Sequence, residues 1–196
     1  METLYKYYRK RIETEKNTLL RYLHTDIDWN ERLIGIIGAR GAGKTTLLLL
    51  HIKETFADKS KALYVSLDNL WFSKNTLTEL CDHFCAFGGT HIFIDEIHRY
   101  PNWANELKTI YDNFPELHIV FTGSSILEIY KSDADLSRRA VKFELHGLSF
   151  REFLALENVI NIPAISLEEI LTNHSNIATE ITSQLKILPL FKAYLE

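Results

Sequence analysis

The segment from Gly38 to Thr45 constrains this chain more than any other, because it fits the pattern G-x-x-x-x-G-K-[ST] at every fixed position. The apolar run 33–37 before it predicts a β-strand, and the run 46–50 after it predicts a buried helix. A strand, a glycine-rich turn and a helix N-terminus together form a cradle in which backbone N–H groups and the helix dipole face a phosphate. The pattern therefore predicts a P-loop that binds a nucleoside triphosphate.

Each part of this loop has a predicted role. Lys44 would reach the β- and γ-phosphates of the nucleotide, and the hydroxyl of Thr45 would be a ligand of Mg²⁺. The alternative is a glycine-rich turn that fits the pattern by chance, and the strand and helix on either side argue against it. The predicted nucleotide-binding residues are Gly38, Ala39, Arg40, Gly41, Ala42, Gly43, Lys44, Thr45 and Thr46.

A second motif occupies residues 91–96, where four β-forming residues precede two adjacent carboxylates, Asp95 and Glu96. This is the form of a Walker B strand, in which Asp95 would hold Mg²⁺ through water and Glu96 would polarise the water that attacks the γ-phosphate. Two adjacent acids are also typical of a solvated junction between a strand and a loop. Along the chain, one β-α-β-α-β unit runs from the P-loop strand to this pair of acids. That spacing is the one expected of a strand that lies beside the P-loop strand. Because nucleotide kinases commonly need no water-activating base, Glu96 favours hydrolysis over phosphoryl transfer.

Two further positions are candidates for contact with the γ-phosphate. Ser124 follows the fourth predicted strand, where a small hydroxyl could bond the phosphate or the attacking water, although the same segment equally suits a helix N-cap. Arg138 and Arg139 precede the fifth predicted strand. An arginine near the γ-phosphate, from the same chain or from a neighbour, would stabilise charge in the transition state. The alternative is an ordinary surface pair of arginines beside nearby aspartates.

The whole chain alternates predicted strands with predicted helices, which indicates right-handed crossovers and a parallel sheet covered by helices on both faces. Strands are predicted at 32–37, 62–67, 91–94, 117–121 and 140–145, and helices at 2–24, 44–57, 76–87 and 102–113. Only helical pattern follows Ser149, with a candidate break at 173–176. The expected organisation is an N-terminal helix in residues 1–24, a P-loop core in residues 25–148, and a helical extension in residues 149–196.

Composition narrows the location and the partners. The formal net charge of −4 gives no whole-chain case for nucleic acid, and the basic cluster in residues 6–11 precedes glutamates, as on a solvated helix face. No apolar stretch reaches the ~18 residues of a membrane span. Two cysteines, Cys81 and Cys85, argue against a disulfide framework and for a reducing compartment. We therefore expect a cytoplasmic protein with no membrane partner.

Four boxes follow one another along the chain: Gly38-x-Arg40-x-x-Gly43-Lys44-Thr45-Thr46, Asp95-Glu96-Ile97-His98 with Pro101 and Trp103, Thr122-Gly-Ser-Ser125, and Leu145-x-Gly-Leu-Ser-Phe-Arg-Glu-Phe153. In this order they resemble one group of proteins, the AAA-type ATP-binding proteins of bacteria and archaea that are related to the archaeal ATPases. The similarity covers roughly residues 15–156.

This resemblance implies an α/β P-loop NTPase fold of the AAA-like type, with a parallel five-stranded sheet and a helical C-terminal extension. It implies ATP rather than GTP as ligand, with Mg²⁺, and hydrolysis coupled to a conformational change. The catalytic residues would be Lys44, Glu96, Ser124 and Arg138, where Arg138 is a better positional match than Arg139. His98 could contact Glu96 or a neighbouring subunit, or could cap a turn.

The resemblance also bears on the partners and on the region that follows the core. Residues 149–196 would begin a lid or winged-helix region that relatives carry after the core. A homo-oligomer is expected, and a DNA partner is suggested by analogy only. Two other functions stay open at this point: a nucleotide-gated switch with little turnover, and a kinase that acts on a small molecule or a nucleic acid.

Overall fold

The computed structural model describes residues 1–16, 19–124, 136 and 138–195 of the chain. These residues separate into two compact units, 1–147 and 148–196. The first unit contains the strands β1 (Leu33–Ile37), β2 (Ala62–Ser66), β3 (His91–Asp95), β4 (His118–Gly123) and β5 (Val141–Glu144). Its helices are α1 (Glu2–Thr14), α2 (Leu23–Asp26), α3 (Lys44–Thr55), α4 (Leu77–Ala86) and α5 (Trp103–Asn113), with 3₁₀ turns at Lys59–Lys61, Leu70–Ser73 and Ile97–Arg99.

The five strands form one parallel sheet in the order β2-β3-β4-β1-β5. This confirms the predicted α/β class with a five-stranded parallel sheet. The expectation that the strand of Asp95 lies beside the P-loop strand is wrong, because β4 lies between β3 and β1. A β-α-β-α-β distance along the chain allows two strands to share a parallel sheet, but it does not determine which strands become neighbours.

The hydrophobic core lies on both faces of this sheet. All five residues of β1 are buried. Such a continuous apolar run is typical of a parallel strand that helices cover on both sides. Helix α1 contributes Leu4, Tyr8 and Ile12, whose spacing of four residues places them on one buried face.

Several element boundaries differ from the sequence-based prediction. Helix α1 ends at Thr14 rather than at residue 24, and Glu15 already has an extended backbone with φ −69° and ψ 112°. After Ile12 the next residues on the apolar face are the charged Glu15 and Lys16, so a further helical turn would bury no apolar side chain. Strands β3 and β4 instead run further than predicted, because ladder pairing continues past the apolar residues to Asp95 and Gly123.

The second unit is helical, as predicted. It contains α6 (Phe150–Leu156), α7 (Leu167–Gln184) and α8 (Ile187–Leu195). A reciprocal capping box begins α6, in which Ser149 and Glu152 each bond the other's backbone N–H. The backbone of Asn173 is non-helical inside α7, at the start of the predicted break. Residues 157–166 are not helical, contrary to the prediction. Among the described residues, no helix is both long and apolar enough to cross a membrane.

Candidate functional site

The P-loop leaves the carboxyl end of β1 and enters α3 directly. Gly41 and Gly43 have φ values of 83° and 94°, in the left-handed region that glycine adopts without steric cost. Gly38 is required for a different reason: a Cβ atom there would lie 2.2 Å from the carbonyl oxygen of Leu145, just after β5. These three glycines thus give the loop its shape and allow it to lie against the end of a neighbouring strand.

Lys44, the first residue of α3, points back into this loop. Its side chain is almost completely buried, and its Nζ donates to the carbonyl oxygens of Gly38 at 2.7 Å and Ala39 at 2.8 Å. Burial lowers the pKa of the Lys44 ammonium, and the nearby charges of Glu96 and Asp95 act in the opposite direction. The amine therefore lies inside the loop and close to both predicted carboxylates. The predicted residues Ala39, Arg40 and Gly41 are exposed, whereas Ala42 is buried and Thr46 is partly buried.

Asp95 ends β3, and its buried carboxylate accepts hydrogen bonds from three hydroxyl groups. Thr45 Oγ1 donates to Oδ2 at 2.6 Å, Tyr64 OH donates to the same oxygen at 2.8 Å, and Thr122 Oγ1 donates to Oδ1. The pairing of β3 with β4, in which Ile94 lies opposite Phe121, places Asp95 next to Thr122. The two predicted metal ligands, Thr45 and Asp95, are thus in direct contact. Their oxygens are the hard donors that suit Mg²⁺.

Glu96 and Ser124 lie close together through a third residue, His98. The backbone of Glu96 is left-handed, with φ 57° and ψ 46°, and its N–H donates to Thr122 Oγ1 at 3.2 Å. Its carboxylate Oε2 lies 3.3 Å from His98 Nε2, and the same nitrogen lies 3.3 Å from Ser124 Oγ. The structure thus brings both candidates to one place at the carboxyl edge of the sheet. The N-cap alternative involves Ser125, which lies outside the described residues.

The structure does not bring Arg138 or Arg139 to the P-loop of the same chain. Both precede β5, which runs parallel to β1 with Val141 opposite Ile34. They therefore lie at the amino edge of the sheet, whereas the P-loop lies at the carboxyl edge. The four residues of β5 separate these edges by about 13 Å at ~3.3 Å per residue. Arg139 lies 3.3 Å from Asp112 at the end of α5, and Arg138 is exposed.

Three residues at this edge were missed by the sequence analysis. Arg21 is buried, and its guanidinium donates to the carbonyl of Ala42 in the P-loop and to those of His146 and Gly147 at 2.9 and 3.0 Å. No sequence pattern marks Arg21. Thr122 belongs to the box Thr122-Gly-Ser-Ser125, but no role was predicted for it. Tyr64 lies two residues before Ser66, which pairs with Asp95, so the two side chains are on the same face of β2. That spacing is the only sequence signal for Tyr64. These contacts hold the loop and the carboxylate in place.

A family model of the AAA domain matches residues 30–154 of the chain. The chain belongs to the AAA family. This confirms the family predicted from the four boxes, and the matched range contains the whole sheet of the AAA domain described above. Membership of this family indicates nucleotide binding and ATPase activity for the matched region.

The chain is also similar to an uncharacterized archaeal protein and to one chain of known structure. The uncharacterized protein MJ1637 of Methanocaldococcus jannaschii is 31% identical over 177 residues, which cover 85% of this chain and 36% of that protein. The structure of the S. cerevisiae Hsp104:casein complex in its extended conformation has a TM-score of 0.53 at 19% identity. That likeness covers 76% of this chain and 31% of the Hsp104 chain, and it shows the fold alone. The chain thus spans about a third of the length of each.

Proposed function

We propose that this AAA domain binds ATP together with Mg²⁺ and hydrolyses the γ-phosphate, and that hydrolysis is coupled to a conformational change. The observation that carries the proposal is the convergence of three groups at one sheet edge. These are the Lys44 ammonium inside the glycine loop, the hydroxyl–carboxylate pair of Thr45 and Asp95, and the carboxylate of Glu96. A phosphate chain bound in the loop would meet a cation, a metal site and a base.

Each side chain has a separate task in this proposal. The ammonium of Lys44 would exchange its bonds to loop carbonyls for bonds to phosphate oxygens, which are stronger because both partners are charged. Thr45 and Asp95 would hold Mg²⁺, which neutralises phosphate charge when it is bound. Glu96 would accept the proton of the attacking water at its carboxylate. Ser124 would bond the γ-phosphate or the water.

An arginine at the γ-phosphate would come from a neighbouring subunit. Arg138 lies at the amino edge of its own sheet and is exposed, so it is accessible to a second copy of the chain but distant from its own P-loop. We therefore propose a homo-oligomer in which Arg138 completes the site of the next subunit. A DNA partner has only analogy behind it. We propose the cytoplasm as location, since both cysteines are free.

The proposal is tested by single-turnover release of phosphate from ATP in the presence of Mg²⁺. The wild-type chain should release phosphate without an added acceptor. Glu96→Gln should bind ATP as tightly as wild type but lose about 10²- to 10⁴-fold in rate, because the amide keeps the shape and cannot take up a proton. Glu116→Gln, at an exposed glutamate of the same unit, is the matched control and should behave as wild type.

Lys44→Ala should abolish tight ATP binding in calorimetry with Mg²⁺, because it removes the cation inside the phosphate cradle. Lys74→Ala, at an exposed lysine, is its control. Equal ATP affinity of Lys44→Ala and wild type would contradict the assignment of the site. Binding without release would favour a nucleotide-gated switch, and release only with an added acceptor would favour a kinase.

A further inference from the structure

We infer that His98 is a positioning residue. It orients the carboxylate of Glu96 and the hydroxyl of Ser124 for the attack of water on the γ-phosphate. This inference rests on the proposed function, and it assigns a task to a residue that neither the P-loop nor the Walker B pattern includes. Its basis is one imidazole nitrogen, Nε2, that lies within 3.3 Å of both Glu96 Oε2 and Ser124 Oγ.

The three side chains come from two strands and are partly shielded from solvent. Glu96 follows β3, Ser124 follows β4, and His98 lies in the 3₁₀ turn Ile97–Arg99 that begins directly after Glu96. The side chains of His98 and Glu96 are only 14% and 25% exposed. Such shielding makes a hydrogen bond between them stronger than the same bond in water. One ring thus connects the ends of two neighbouring strands.

The second ring nitrogen indicates which way this bond points. Nδ1 of His98 is buried and has no hydrogen-bond partner among the described residues. Among backbone groups a buried N–H without an acceptor is rarer than a carbonyl without a donor, and we take the same order for the nitrogens of this ring. The proton of a neutral imidazole is therefore placed on Nε2, where the Glu96 carboxylate and the Ser124 oxygen can both accept it. This tautomer makes His98 the donor to both groups.

A single donor of this kind would reduce the rotational freedom of Glu96. The turn that carries His98 is held by its own backbone bonds, from Arg99 N to Glu96 O at 2.9 Å and from Tyr100 N to Ile97 O at 3.1 Å. The donor is therefore fixed relative to the backbone of the base that it orients. A misplacement of about 1 Å at a reacting group can cost about 10²-fold in rate. Loss of His98 should therefore lower kcat and leave ATP affinity unchanged.

The first experiment separates positioning from a general structural role. We expect His98→Ala to lower kcat by about tenfold or more, with a Kd for ATP within about twofold of wild type. His98→Gln should restore most of the rate, because its amide N–H₂ can donate from a similar place. Arg99→Ala, in the same turn but at an exposed ion pair with Asp68, is the matched control and should keep wild-type kcat.

Two further measurements test the connection itself. Ser124→Ala and His98→Ala should be non-additive, so that the double variant is hardly slower than His98→Ala alone. In the nucleotide-free protein, nitrogen NMR of the imidazoles should show the Nε2–H tautomer for the signal that disappears in His98→Gln. Glu96→Gln should shift that signal, whereas Glu116→Gln should not.

Three results would overturn the inference. The first is an unchanged kcat in His98→Ala, the second is a faster turnover, which would mean that His98 restrains Glu96, and the third is an equal loss in His98→Ala and His98→Gln. A wild-type chain that releases no phosphate would instead refute the proposed function. The NMR response of His98 to Glu96→Gln would then still decide whether the contact exists.

Discussion

The hydroxyl of Tyr64 offers a sharp test of how the buried carboxylate of Asp95 is held. Tyr64 is 1% exposed, and its OH donates to Asp95 Oδ2 at 2.8 Å. Burial above all, and then Asp95, raise the pKa of Tyr64 well above its usual value, so the hydroxyl remains a donor across the working pH range. Tyr64→Phe removes this donor and leaves the ring that packs in the core. The change therefore isolates one hydrogen bond.

The expected loss follows from the other donors at the same carboxylate. A hydrogen bond to a charged group contributes about 1.5–3 kcal/mol to stability. Thr45 and Thr122 continue to donate to Asp95 in the variant, so the carboxylate is not left unpaired. We therefore expect a decrease of about 1.5–2 kcal/mol in the free energy of unfolding, at the lower end of that range.

Urea unfolding followed by tryptophan fluorescence measures this decrease in the structural unit 1–147, which contains Tyr64. All three tryptophans, Trp29, Trp71 and Trp103, lie in residues 1–147. With an m value of about 2 kcal/mol/M, the midpoint should fall by about 0.75–1 M while m stays constant. Tyr8→Phe is the control: Tyr8 is also buried, but its OH lies 3.4 Å from the carbonyl oxygen of Lys59. A Tyr64→Phe midpoint no lower than that of Tyr8→Phe would refute the reasoning.

Two more predictions concern acid stability and the arginine. Burial above all, and then the neighbouring His24 and His91, lower the pKa of His51 to about 3. Between pH ~6.5 and 3 the His51 imidazole therefore binds a proton in the unfolded state and not in the folded state. The free energy of unfolding should therefore fall from pH 6.5 towards 3, by up to ~1.4 kcal/mol per unit, and His51→Phe should flatten this slope; an equally steep slope would contradict it. Mixing Arg138→Ala with Glu96→Gln should restore part of the phosphate release if Arg138 acts between subunits. No recovery in mixtures shown to associate would exclude that role.

Local patterns account for what could be predicted about this AAA domain. The P-loop was predictable because its glycines, its lysine and the flanking apolar runs are contiguous, and backbone conformation follows from neighbours in the chain. The alternation of strands and helices likewise predicted the parallel sheet. The prediction was wrong where the apolar periodicity ends, as at the end of α1, where charged residues follow Ile12 on the apolar face.

Contacts between distant residues account for the rest. The order of strands is a matter of contacts between residues far apart in the chain, and no spacing along the chain indicated that β4 separates β1 from β3. That order places Thr122 and Tyr64 on Asp95 and joins His98 to Ser124. These pairs lie about 26 to 31 residues apart in the chain, so only strand register brings their polar atoms within hydrogen-bonding distance. The chain's motifs thus predict which chemical groups are present, and the sheet determines which of them meet, because a hydrogen bond requires a separation of about 3 Å that sequence spacing does not set.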